Sequence, residues 1–98
     1  MNRSYLIRPA ARTDIDVAYD WYEGLQLGRG DEFLVELYER IQDIRETPER
    51  FGLVRKSVRA AMLPKSKFIV YYRVEDDVVL IRAVLHARAH PNKWNRRK

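Results

Sequence analysis

Ninety-eight residues make room for one small domain and no second core of useful size, so the chain reads as a single unit over 1–98. With 46% hydrophobic residues and no cysteine, the composition is that of a globular chain and excludes disulfides, thiolate metal sites and thiol nucleophiles. The formal charge of +5 is unevenly spread: residues 1–49 carry six Lys/Arg against eleven Asp/Glu, and residues 50–98 carry thirteen against three. A basic half of this kind points to an anionic partner, either a nucleic acid or an acidic protein surface.

Ser4 to Ile7 is a short apolar segment ended by Pro9, which suits an opening strand followed by a helix start. Ala11, Ile15, Ala18, Tyr22 and Leu25 then recur at steps of three and four, predicting a helix over roughly 10–25. Asp14, Asp16, Asp20 and Glu23 fall on its other faces and read as a solvated surface. Gly24, Gly28 and Gly30 mark a helix-helix connection and lack the spacing of a phosphate loop. A second apolar stripe at Phe33, Leu37, Ile41 and Ile44 predicts a second helix ending before Pro48. Tyr19, Trp21 and Tyr22 sit among acids, so they read as core or partner-facing aromatics rather than a base-stacking platform.

After Pro48 the chain reads as sheet. Val54 to Leu63 forms one strand candidate, Lys67 to Val74 a second rich in β-branched and aromatic residues, and Glu75-Asp76-Asp77 a turn. Val78 to Arg88 closes a hairpin, and 89–98 is a basic tail containing Trp94. The order β-α-α-β-β-β predicts an α+β fold, a helical hairpin packed on one face of a mainly antiparallel sheet. The longest apolar runs are too short to span a bilayer, and 1–8 lacks a signal-peptide pattern, so the expectation is a cytoplasmic protein.

Strict alternation divides each strand into two faces. It sends Val79, Ile81, Ala83, Leu85 and Ala87 under the helices, together with Phe68, Val70, Tyr72 and Val74. The open face then carries Arg59, Tyr71, Arg73, Arg82, His86 and Arg88 beside Ile69, Leu80 and Val84. Arginines suit bidentate binding of phosphate or carboxylate, and a histidine can exchange protons near neutral pH. Ile69, Leu80 and Val84 are too apolar for a surface left in water, which calls for a cover by the C-terminal tail or a protein partner. His86 and His90 lie four apart with no helix to join them and no carboxylate triad, so neither a metal nor a cofactor is expected.

Taken together, A-A-R-T-D-I-D-x-A-x-x-W-Y in the first helix, F-L-x-E-L-x-x-R-I-x-x-I before Pro48 in the second, V-R-A-A-M-L, F-I-V-Y-Y-R-V and V-L-H-A-R-A-H-P-N-K-W resemble the RelE/ParE superfamily of bacterial type II toxins. The resemblance covers almost the whole chain and implies a small toxin neutralised by an antitoxin, with a helical hairpin on a small antiparallel sheet. RelE-like members are ribosome-dependent endoribonucleases. That reading implies Arg59, Arg73, Arg82 and His86 as catalytic residues, the arginines stabilising charge on phosphorus and His86 serving as acid or base. ParE-like members bind DNA gyrase and have no catalytic constellation. No tyrosine follows Tyr72, and His86-x-Arg88 with Pro91 and Trp94 is closer to the ParE pattern. On that side the target contacts would include Lys93, Trp94, Arg96, Arg97 and Lys98, with removal of 91–98 relieving toxicity. A third possibility is an inactive member that only binds an antitoxin. The resemblance further implies an acidic antitoxin lying across the open sheet over Ile69, Leu80, Arg82, Val84 and Arg88, forming a hetero-oligomer.

Overall fold

A computed structural model describes residues 3–89. The elements run β1 (Ser4–Ile7), α1 (Pro9–Leu25), α2 (Arg29–Glu46), a 3-10 turn (Pro48–Arg50), β2 (Leu53–Arg55), β3 (Val58–Met62), β4 (Phe68–Glu75) and β5 (Val78–His86). Pro9 opens α1, where its fixed φ suits a helix and its missing N–H is not needed. The hairpin turns through Gly28 at φ +93°, a conformation open to glycine. Glycine has no side chain to cap the helix that follows, and the Glu23 carboxylate does so from α1, accepting the N–H groups of Gly28 and Gly30. Gly30 is also held close: a Cβ there would meet the Tyr19 ring at 2.7 Å.

The sheet order is β1-β5-β4-β3-β2. β1 pairs with β5 in parallel and the other pairs are antiparallel, so the sheet is mixed. The predicted strand 54–63 is two strands. Lys56, at φ +46°, folds β2 back on β3, because a tight hairpin needs a left-handed residue and the Lys-Ser pair supplies one without glycine. Both helices lie on one face. Ala11, Ile15 and Ala18 from α1 and Phe33, Leu37, Ile41 and Ile44 from α2 meet Ala61, Val70, Tyr72, Val79, Ile81 and Val84 in the main core. Leu25, which ends the α1 stripe in the sequence, is 54% exposed because the helix ends there and passes the edge of the core. Two of the four acids on α1 are not simply solvated: Glu23 caps α2, and Asp14 accepts the backbone N–H of Val84 at 3.0 Å.

The alternation expected along β5 breaks in its middle. Tyr72 pairs with Ile81 but Tyr71 pairs with Ala83, so Arg82 is an additional residue with no partner position on β4. A bulge reverses the parity of everything beyond it. Val79 and Ile81 face the helices as expected, after which Val84 and His86 take the helix side and Ala83 and Leu85 the open side. Val84 is 1% exposed in this register, and burying a valine side chain contributes roughly 1.5–3 kcal/mol.

Candidate partner-binding face of the sheet

The open face is more apolar than strict alternation predicts. Val58, Ala83 and Leu85 form a small buried cluster there, with Tyr71 and Ala89 packed against it. Leu80 and Ile69 share this face, paired with Arg73 and Leu85 respectively. Met62, opposite Ile69, is 46% exposed. Burial raises the pKa of the Tyr71 phenol, so this hydroxyl is held in its neutral form rather than activated as a base.

Of the six polar residues expected on this face, Tyr71 and Arg73 lie there by register. Arg73 pairs with Glu75 at 2.7 Å. Arg82, on the bulge, lies within electrostatic range of Arg73 and of Arg8; burial first, and then these two positive neighbours, lower its pKa. Arg8 was not singled out from the sequence. It joins the group because its own N–H bonds to the carbonyl of Ile81, which carries the first turn of α1 to the bulge.

Arg59, His86 and Val84 are not on the open face. Arg59 pairs with Tyr72, which points to the helices, and its guanidinium donates to the carbonyl of Phe51 at 2.7 Å. It therefore ties β3 to the 3-10 turn. The alternation in β3 is set by its pairing with β4, which the sequence around Arg59 does not display. His86 stands edge-on to Phe68 at 5.2 Å, extending an aromatic row in which Phe68 meets Phe33 and Tyr22. Its Nδ1 accepts the N–H of Arg88 at 3.1 Å, within the turn that follows the strand. Arg88 is exposed in that turn, beyond the strand. The constellation of Arg59, Arg73, Arg82 and His86 is thus divided between the two faces of the sheet, and no single reacting group can meet all four.

Lys93, Trp94, Arg96, Arg97 and Lys98, with His90 and Pro91, lie outside the described residues. Among the described residues, no group of three His, Cys, Asp or Glu side chains could hold a metal ion. No described helix is long and apolar enough to cross a membrane.

Residues 5–91 match the sequence profile of the ParE toxin of the type II toxin-antitoxin system parDE. The chain belongs to the ParE toxin family. No curated protein matches it. Among solved structures, this ParE-family chain is similar to a chain of the chromosomal ParDE toxin-antitoxin system of P. aeruginosa, at 18% identity and a TM-score of 0.75, over 86% of this chain and 95% of that one. It is also similar to a chain of the RelBE2 toxin-antitoxin complex of Mycobacterium tuberculosis, at 20% identity and a TM-score of 0.62, over 88% of this chain and 99% of that one. At these identities the likeness concerns the fold, and it agrees with the hairpin-on-sheet architecture described above.

Proposed function

We propose that this chain is the toxin of a type II toxin-antitoxin pair, that it inhibits growth by binding DNA gyrase without catalytic chemistry of its own, and that a cognate acidic antitoxin neutralises it in the cytoplasm. Membership of the ParE family supports the toxin assignment. The separation of Arg59 and His86 from Arg73 and Arg82 supports the gyrase reading over a RelE-like ribosome-dependent endoribonuclease. A ribonuclease needs a general acid or base beside the groups that hold the phosphate, and His86 packs against Phe68 on the far side of the sheet from Arg73. The target contacts are then Tyr71, Arg73, Arg82 and Arg88, continued by Lys93, Trp94, Arg96 and Arg97.

The antitoxin shares part of this surface. Ile69, Leu80, Arg82 and Arg88 would be covered by an acidic amphipathic segment, whose carboxylates are attracted to the arginines and whose apolar side chains meet the cluster around Leu85. Neutralisation follows from competition for the same cations. The deciding experiment is induction in bacteria, with gyrase-linked DNA breaks and message integrity measured together. Breaks with intact message are expected. Cleaved message on translating ribosomes without breaks would overturn this reading in favour of the ribonuclease, and growth unaffected by expression would leave an inactive antitoxin-binding protein.

A further inference from the structure

From Arg50 to Arg73 the sequence holds seven Lys and Arg and no Asp or Glu, and the function proposed above places only Arg73 of these on a binding surface. Four of them, Arg50, Arg55, Lys56 and Arg59, fall in or beside the hairpin of β2 and β3. β2 is an edge strand, paired with β3 and with no other strand among the described residues. Residues 52–57 are all exposed, so this hairpin stands out from the body of the sheet. Its base is fixed by several contacts. Arg59 donates to the carbonyl of Phe51, the Ala60 N–H bonds to the carbonyl of Gly52, and the guanidinium of Arg50 lies over the Phe51 ring at 5.3 Å. Its tip is the left-handed turn at Lys56.

Arg59 is held by a carbonyl, but Arg50, Arg55 and Lys56 take part in no ion pair among the described residues. Arg55 pairs with Val58, which belongs to the open-face cluster with Leu85 and Tyr71. Residues opposite one another in an antiparallel pair share a face. Arg55 therefore emerges on the same side as Arg73, two strand spacings or about 10 Å away, and carries the basic row of Arg82 and Arg73 out to the far edge of the sheet. Leu53 and Val54, 57% and 50% exposed, add apolar surface to the same ribbon. A hydrated surface cation gains little from a lone carboxylate. It gains far more from a polyanion, because each phosphate neutralised releases condensed counterions. The fit is therefore to a nucleic-acid backbone rather than to an acidic protein, and a two-stranded ribbon is narrow enough to enter the major groove of a duplex.

We propose that the β2–β3 hairpin is a contact for duplex DNA, with Arg50, Arg55 and Lys56 on backbone phosphates and Leu53 and Val54 against the sugars. This rests on the gyrase reading above and extends it: the toxin touches the DNA that gyrase holds as well as the enzyme. The contact reads no sequence, since phosphate and sugar are the same at every base pair.

The test uses the full chain and a short synthetic DNA duplex, with fluorescence anisotropy read between about 50 and 200 mM salt. Arg55→Ala and Lys56→Gly should each weaken binding about three- to tenfold and lower the slope of log affinity against log salt by about one. Glycine at position 56 also eases the left-handed turn, so the second variant keeps its fold should the first lose it. Arg29→Ala removes the same charge at the other end of α2, a helix roughly 25 Å long, and should change neither quantity. Leu53→Ser should weaken binding about threefold with the slope unchanged. In bacteria, Arg55→Ala combined with Lys56→Gly should reduce gyrase-linked breaks at matched folded concentration, while the protein encoded by the adjoining reading frame still binds. Duplex affinity and slope equal to the parent's in both charge variants overturn the hairpin contact, and breaks caused by the parent then still support the gyrase reading. If the parent binds duplex through the hairpin but causes no breaks, the gyrase reading falls and the DNA contact stands. Loss of affinity for the antitoxin with duplex binding intact assigns the hairpin to that partner. Self-association of the charge variants with duplex binding intact leaves the cations as guards of an exposed edge, and either result overturns the proposal.

Discussion

The carboxylate of Glu23, near the end of α1, accepts the N–H of Gly30, in the first turn of α2, at 2.9 Å. One side chain thereby closes the helical hairpin and satisfies amide groups that a glycine N-cap leaves open. Glu23→Ala should lower stability by about 1–2 kcal/mol, read as a fall in melting temperature of roughly 4–8 °C for each kcal/mol in a domain of this size. Gly30→Ala should also destabilise, by about 1–3 kcal/mol, since its methyl group would press on Tyr19. An unchanged melting temperature in both variants would show that the hairpin does not depend on this contact.

Tyr72 is fully buried and donates its hydroxyl to the carbonyl of Pro48. Burial pushes its phenol pKa up from 10.0 to about 12. The neutral form is favoured in the fold, so the unfolded chain loses this proton at lower pH than the folded one. The associated stability is present in full below pH 10 and is lost as the pH rises through about 12, a change on the order of 2–3 kcal/mol for this group. Denaturant titrations between pH 8 and about 12 should show that decline. Tyr72→Phe should reduce it, at a cost near neutral pH of about 1–2 kcal/mol for the unmet carbonyl.

Arg59 and Arg73 should respond differently to substitution. Arg59→Ala removes the bond to Phe51 and is expected to cost about 1–2 kcal/mol of stability, with growth inhibition per folded molecule unchanged. Arg73→Glu should keep the fold and reduce both toxicity and antitoxin affinity. The parent affinity should fall as salt rises, because the opposite charges attract through screened water. Equal loss of toxicity in the two variants at matched folded concentration would contradict the placement of Arg59 outside the target surface.

His86→Ala offers the plainest separation of the two modes of action. It removes an edge-to-face contact with Phe68 worth about 0.5–1.5 kcal/mol, and growth inhibition should persist. Complete loss of inhibition, with the fold intact by circular dichroism, would return His86 to a catalytic role.

Much of the fold was legible in the sequence because a helix carries its burial pattern within itself. Ala11, Ile15 and Ala18, and Phe33, Leu37, Ile41 and Ile44, recur with the helical period and are the residues buried. The family resemblance was equally legible, since its motifs are local. The Lys56 turn was not, because neither Lys56 nor Ser57 is a customary hairpin residue and one continuous strand read as well as two. Asp14 looked like any solvated acid on α1, as nothing near it in the chain announces the Val84 amide seventy positions away.

By itself, the sequence determined the helical hairpin, the strands that follow it, the charge division between the two halves and the family. Tertiary structure alone decided which face Arg59 takes in β3 and which residues of β5 beyond Arg82 face the helices. The side chains of a strand alternate strictly only while the pairing stays in register, and the bulge at Arg82 shifts that register by one residue. Beyond it, Val84 and His86 pass to the helix side while Ala83 and Leu85 come to the open one. Pairing of β3 with β4 likewise sets Arg59 opposite Tyr72, on the helix side of the sheet, where the carbonyl of Phe51 receives its guanidinium. The basic half of the chain was visible from the start; pairing between distant strands settled which of its cations share a surface.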